Sequence, residues 1–121
     1  MAQKELRIGV VGVGMMGADH AERIVNRIAG AQLVAVADPD TARAADLAAR
    51  FDSVRSIDDP LELVASDDID AVLIASPGFV HEEQLLACIE HGKFVLCEKP
   101  LTMDSESSLR VVEAELRAVG R

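Results

Sequence analysis

The feature that most constrains the fold is a glycine triplet directly after a short apolar run. Residues 7–17 read R-I-G-V-V-G-V-G-M-M-G, which places the G-x-G-x-x-G spacing at Gly12, Gly14 and Gly17. In this pattern a buried strand ends, the backbone turns tightly, and a helix begins with its N–H groups directed at a pyrophosphate. The sequence therefore predicts a strand–turn–helix unit that binds a dinucleotide, with Met15 and Met16 in the contacting loop.

Beyond the triplet, the chain alternates strand-like and helix-like segments. Apolar runs predict strands at 6–11, 31–37, 71–75 and 93–97, and the segment between two predicted helices predicts a short edge strand at 54–57. Apolar periodicity and capping residues predict helices at 15–28, at 41–51 after a cap at Asp40 or Thr41, from Pro60 after a cap at Asp59, at 80–90 and at 104–119. This alternation is typical of an α/β protein, here a Rossmann-type, doubly wound parallel sheet.

The length of the chain predicts one dinucleotide-binding domain over residues 1–121. A complete sheet of this type usually has six strands, and the sequence supplies four or five. We therefore expect a chain truncated before a further domain. The open sheet edge would make such a chain self-associate.

The net negative charge of the chain argues against binding partners that are themselves negatively charged. A formal net charge of −9 argues against nucleic acid and anionic membranes as main partners, because their phosphates attract clustered Lys and Arg. Cys88 and Cys97 form no C-x-x-C pair and lie among apolar residues, which predicts packed, reduced thiols. The sequence shows no export signal and no apolar run of membrane length, so we expect a cytoplasmic protein.

Asp38 lies 21 residues after Gly17, where the second strand should end. A carboxylate there can accept hydrogen bonds from the adenosine ribose hydroxyls of NAD and would repel the 2′-phosphate of NADP. Arg43 could reach the adenine region, which leaves tolerance of NADP open. The alternative interpretation is that Asp38 only caps the next helix.

Ser76, Pro77 and Gly78 end the strand at 71–75, at the sheet edge where open α/β proteins bind ligands. The alternative is an ordinary Pro-Gly turn. His81 is either a functional imidazole or a first-turn helix residue that faces solvent, and the sequence favours the latter. Two other histidines are interpreted as structural, His20 on the first helix and His91 at a helix C-terminus.

Glu98, Lys99 and Pro100 follow the last predicted strand and fall on the same edge. Proline cannot extend the sheet, so it would fix a bend and hold Lys99 toward the cleft. A partly desolvated lysine can relay protons or stabilise an alkoxide. Glu98 could hydrogen-bond the nicotinamide ribose or orient Lys99. The alternative is a surface ion pair beside a turn, which contributes little.

Taken together, the glycine triplet, Asp38 and the E-K-P tripeptide resemble the Gfo/Idh/MocA oxidoreductases. Three stretches are most like the inositol 2-dehydrogenases of that family: 20–24 with Asn26-Arg27, then 76–82, and 94–101. The resemblance implies a two-domain NAD-dependent enzyme, often a homotetramer, that oxidises a hydroxyl of a cyclic polyol such as myo-inositol to a ketone. One motif differs from the family pattern: this chain has Ser-Pro-Gly at 76–78, where the wider family commonly has Thr-Pro-Asn.

The resemblance also implies roles for residues of this chain. Lys99 becomes the catalytic residue present, completed by an Asp and a His from a C-terminal domain that the chain lacks. Cofactor contacts are implied for the glycine triplet, Asp38, Ser76, Pro77, Gly78, His81 and Glu98. The isolated chain is then expected to bind NAD weakly and to turn over no substrate. Three alternatives stay open: another sugar or polyol, a non-catalytic nucleotide-sensing module, or a fragment that binds nothing well.

Overall fold

The computed structural model describes residues 5–99 and 101–118 as one α/β unit. Its strands are β1 (Leu6–Val11), β2 (Ala31–Ala37), β3 (Arg55–Ile57), β4 (Ala71–Ile74) and β5 (Phe94–Cys97). Its α-helices are α1 (Met15–Asn26), α2 (Thr41–Ala48), α3 (Pro60–Ala65), α4 (His81–Glu90) and α5 (Ser105–Ala118). A 3₁₀ turn, Gly78–Val80, precedes α4.

The five strands form one parallel sheet in the order β3-β2-β1-β4-β5. The chain therefore runs outward from β1 in one direction, then returns to the other side of β1, which makes the β1–β4 boundary the topological switch point. Ligands bind at the carboxyl edge of such a boundary. The doubly wound Rossmann sheet predicted from the sequence is thus confirmed.

The strand register places the carboxyl ends of β1, β2, β4 and β5 at the same level of the sheet. Val11 pairs with Ala37 of β2 and with Ile74 of β4, and Ile74 pairs in turn with Cys97 of β5. The residues that follow these strands, Gly12, Asp38, Ala75 and Glu98, consequently meet at one edge of the sheet.

Two apolar layers cover the sheet. Alternate strand residues such as Val10 and Val36 pack with α1 and α2, whereas Val11 and Ile74 pack with α3, α4 and α5. Both core layers are almost entirely aliphatic, as expected for buried parallel strands whose side chains face helices on both sides.

β5 is the least covered strand. Within the described residues it pairs only with β4, and Phe94 and Leu96 are 72% and 66% exposed. The expected self-association through this edge stays a prediction. No helix of the described part is long and apolar enough to cross a membrane.

Element ends differ from the predictions by a few residues. β1 and β2 agree with the predicted bounds, whereas α1 stops at Asn26 and α2 at Ala48. The predicted helix start at Val80 is instead the end of the 3₁₀ turn, because Pro77 sets an extended φ,ψ of −59° and 146° just before it. The bend assigned to Pro100 and the helix end assigned to Val119 lie outside the described residues.

Candidate functional site

The glycine triplet forms a turn that other residues cannot make. Gly12 has φ +88°, and a Cβ there would lie 2.4 Å from the backbone nitrogen of Ser76. A Cβ on Gly17 would lie 1.7 Å from the carbonyl oxygen of Gly12. Gly12 thus permits the turn after β1, and Gly17 permits close packing of α1 on that turn.

Gly14 differs from the other two glycines, because none of the residues that the structure describes crowds its Cβ position. A Cβ on Gly14 would meet only an Arg43 guanidinium nitrogen at 3.6 Å, an ordinary contact. Gly14 is also the N-cap of α1; no side chain caps this end, and the first turn holds no acidic residue. The first N–H groups of a helix lack intrahelical partners and carry partial positive charge, so this helix end suits a phosphate.

Asp38, at the end of β2, forms a hydrogen bond with the loop that contains Gly12 and Gly14. Its Oδ2 accepts a hydrogen bond from the buried Val13 N–H at 2.8 Å, and its Oδ1 accepts one from the Asp40 N–H at 2.8 Å. The cap of α2 is Asp40, which accepts from the Arg43 N–H. The interpretation of Asp38 as merely a helix cap is therefore wrong.

Arg43, on α2, lies close to the carboxylates of Asp38 and Asp40. Its guanidinium is 3.7 Å from Asp38 Oδ1 and 3.7 Å from Asp40 Oδ2, and about half of its side chain is exposed. These are long contacts on a flexible side chain, so Arg43 can turn toward a ligand at low cost.

A cleft of about 960 Å³ opens along the carboxyl edge between these groups and the end of β4. Eight residues predicted as site residues line it: Gly12, Gly14, Met15, Met16, Asp38, Arg43, Ser76 and Pro77. Six others were not predicted as site residues: Pro39, Asp40, Ala75, Phe79, Val80 and Gln84. Phe79 and Val80 fall inside the quoted stretch 76–82, so the resemblance held a signal for them, whereas Gln84 lies outside it.

A buried polar network connects Ser76, which follows β4, to two side chains of α4. The Ser76 hydroxyl donates to Gln84 Oε1, and the Ser76 carbonyl lies 2.6 Å from His81 Nε2. His81 Nδ1 is 3.2 Å from the Leu101 carbonyl and 3.4 Å from Cys97 Sγ. His81 is only 1% exposed, so the expectation that it faces solvent is wrong: Ser76, Cys97 and Leu101 lie against its ring.

The two thiols are poor nucleophiles in this environment. Burial raises the pKa of the Cys88 thiol to about 12, with a smaller contribution from Cys97. Burial, followed by the nearby Glu98 carboxylate, raises the pKa of Cys97 to about 11. Both cysteines are free, which agrees with the predicted packed, reduced thiols.

Glu98 and Lys99 lie at the end of β5, beside the cleft lining and not within it. The Glu98 N–H donates to the Ile74 carbonyl, which continues the sheet pairing by one residue. Glu98 Oε1 lies 2.6 Å from His20 Nε2 on α1, a contact absent from the sequence analysis. Lys99 is exposed in this chain, so the expected partial desolvation of its amine is not found.

Comparison with known proteins agrees with this geometry. The model of the Gfo/Idh/MocA family, described as an oxidoreductase family with an NAD-binding Rossmann fold, matches residues 6–119. The inositol 2-dehydrogenase 4 of Saccharopolyspora erythraea is 58% identical over 118 residues, which are 98% of this chain and 35% of that protein. The inositol 2-dehydrogenase of Rhodococcus erythropolis is 54% identical over 112 residues, 93% of this chain and 32% of that protein.

Solved structures show the same similarity. A myo-inositol dehydrogenase from Lactobacillus casei in complex with NAD(H) and myo-inositol superposes with a TM-score of 0.90 at 36% identity, over 93% of this chain and 34% of that chain. A scyllo-inositol dehydrogenase from the same species, with bound NAD(H) and scyllo-inositol, gives a TM-score of 0.89 at 30% identity, over 95% and 34%. The chain thus spans about a third of the length of these proteins.

Proposed function

Because the chain belongs to the Gfo/Idh/MocA oxidoreductase family, with its NAD-binding Rossmann fold, we propose that it is the cofactor domain of an NAD-dependent inositol 2-dehydrogenase. The observation that carries this proposal is the open N-terminus of α1 at Gly14, next to the Asp38 carboxylate and one 960 Å³ cleft. The helix end takes the pyrophosphate, and the carboxylate takes the adenosine ribose.

The residues present fit NAD in two respects. Gly14 leaves its Cβ position open to a phosphate, and the helix end offers backbone donors without a competing acid. Asp38 keeps acceptor capacity for hydroxyl groups, because an ionised carboxylate has about four lone-pair sites and, among the described residues, Val13 and Asp40 use two of them. Bound NAD supplies the hydride acceptor; the protein supplies placement and charge.

Lys99 is the residue of this chain that we propose as catalytic. It follows Glu98 at the carboxyl edge, on the β4–β5 side of the switch point, away from the Asp38 end. An ammonium at that place would stabilise charge developing on the substrate oxygen as its proton leaves. The proton itself would pass to a histidine from the rest of the protein, as the family resemblance implies.

The proposed substrate of the whole protein is the hydroxyl of a cyclic polyol, with myo-inositol first. The relatives that match over a third of their length are named as inositol 2-dehydrogenases, which supports this choice over a nucleotide sensor. A related polyol is the second candidate, because a similar structure holds scyllo-inositol. We also propose a cytoplasmic homotetramer for the whole protein, and no turnover by these 121 residues alone.

Two measurements test the proposal. Calorimetry with the 121-residue chain should detect NAD binding; complete absence of binding would refute the cofactor domain. Turnover is measured in a fusion of this chain to the remaining two thirds of the Saccharopolyspora erythraea relative, because the chain spans 35% of that protein. In that fusion Lys99→Ala should lower kcat by at least about a hundredfold with little change in NAD affinity. Near-normal turnover would remove Lys99 from the mechanism.

A further inference from the structure

The contact between His20 and Glu98 joins two parts of the site that are far apart in sequence. His20 lies on α1, four residues after Met16 of the cleft, and Glu98 directly follows β5. His20 Nε2 and Glu98 Oε1 are 2.6 Å apart across a separation of 78 residues. Both side chains are partly buried, at 21% and 35% exposure, so solvent screens this contact less than a surface pair.

Glu98 is already fixed along its backbone. Its N–H donates to the Ile74 carbonyl at 2.9 Å, and its own carbonyl accepts from the Cys97 thiol at 3.3 Å. These contacts fix the backbone of Glu98 but not the position of its carboxylate, because the side chain has three rotatable bonds. The contact with His20 supplies the missing restraint on the carboxylate.

We propose that His20 is a positioning residue that holds the Glu98 carboxylate to accept a hydroxyl of the nicotinamide-side ribose. This rests on the proposed function. The contact occupies Oε1, and a carboxylate retains acceptor sites beyond one hydrogen bond. Asp38 lies at the β2 side of the switch point and Glu98 at the β5 side, so each carboxylate would serve one ribose of a dinucleotide laid across the edge.

The location of His20 links this contact to the phosphate site as well. α1 carries both the open phosphate-binding end at Gly14 and, in its second turn, His20. Gly17 holds that helix against the turn at Gly12, so His20 reaches Glu98 from a rigid support. Pyrophosphate binding and ribose binding on the nicotinamide side therefore depend on one helix, but through different residues.

The experiment uses calorimetry to measure the binding of two ligands, NAD and ADP, to the original chain and to three variants. NAD contains the second ribose, and ADP contains the adenosine and diphosphate without it. His20→Leu removes the donor, His20→Gln keeps an N–H donor at similar reach, and His91→Leu is the matched control at an exposed site on the end of α4. Thermal unfolding by circular dichroism verifies that each variant is folded.

We expect His20→Leu to weaken NAD binding by about tenfold and to leave ADP binding within about twofold. His20→Gln should recover most of the loss, and His91→Leu should bind both ligands like the original chain. Equal weakening of NAD and ADP by His20→Leu would assign His20 to the support of α1 and overturn the proposal, as would unchanged NAD binding. A chain that binds ADP but no NAD, or neither ligand, instead contradicts the proposed function itself.

Discussion

A methyl group on Gly17 would lie 1.7 Å from the carbonyl oxygen of Gly12, well inside any real contact distance. The obstructing atom belongs to the backbone of the turn after β1, so no side-chain rotation can relieve the clash. Gly14, three residues earlier, has only an Arg43 side-chain nitrogen near its Cβ position, at 3.6 Å. The first and last glycines of the motif are therefore required by the fold. The middle one is not, and in the proposed function it leaves room for a phosphate.

This division predicts opposite outcomes for two alanine variants. Gly17→Ala should cost at least about 3 kcal/mol of unfolding free energy, because α1 must move away from the turn. Gly14→Ala should cost no more than about 1 kcal/mol as a poorer N-cap, yet lower NAD affinity by at least about tenfold because its methyl occupies the phosphate approach. Urea unfolding and calorimetry separate the two effects. A folded Gly17→Ala chain of normal stability would contradict the packing argument.

The strands could be predicted because their signals are local. Apolar runs mark β1, β2, β4 and β5, and β1 and β2 have the predicted ends. β3 has no apolar run (R-S-I), and its signal is its place between two predicted helices. The cap at Asp59 and the choice of Asp40 or Thr41 as the second cap also follow from local sequence, because a capping side chain accepts from a backbone N–H two or three residues further on. Parallel pairing then follows from the alternation with helices, and it brings the predicted loops to one edge.

The contacts made by the site residues were not predictable in the same way. Val13 donates to Asp38 across 25 residues, and His20 meets Glu98 across 78. Each pair depends on strand order and helix placement, which local patterns do not contain. The burial of His81 is unpredictable for the same reason: its position in the first turn of α4 is compatible with exposure, and the groups against its ring include residues distant in sequence, Cys97 and Leu101.

Asp38 is expected to have two functions that one substitution can separate. Asp38→Asn should destabilise the chain by about 1–3 kcal/mol, because an amide nitrogen would face one of two N–H donors, Val13 or Asp40. It should also shift the cofactor preference from NAD toward NADP by removing the charge that repels a 2′-phosphate. Asp58→Asn, at an exposed position, is the matched control. Tighter binding of NADP than NAD by the unaltered chain would refute the assignment of Asp38.

Both thiols should react slowly in the folded protein. Burial raises the pKa of Cys97 to about 11 and that of Cys88 to about 12, so at pH 8 about 0.1% or less of either is thiolate, the reactive form. We expect Ellman's reagent to modify folded protein at least about a hundredfold more slowly than protein in urea, with Cys97 ahead of Cys88. Cys97→Ser and Cys88→Ser identify which thiol reacts. A fast phase in the folded chain at pH 8 would contradict this prediction.

Acid should destabilise the protein through carboxylates outside the cleft. The pKa of Asp68 lies below its ordinary value because of its hydrogen bonds with Arg55, and that of Glu82 because of those with Arg110. Hydrogen bonds from Ser107, backbone first and hydroxyl second, lower the pKa of Asp104.

A group whose folded pKa is lowered adds stability above its unfolded pKa and loses it as the pH falls through the folded value. The melting temperature should therefore be nearly constant from pH 7 to about pH 5 and fall below about pH 4, where these carboxyls protonate. Arg110→Gln should make this fall shallower, since the pKa of Glu82 returns toward its ordinary value. Arg117→Gln makes the same charge change on the same helix without the contact to Glu82, so it should keep the original profile. Identical pH profiles for the two variants would show that the Glu82–Arg110 contact contributes nothing to acid sensitivity.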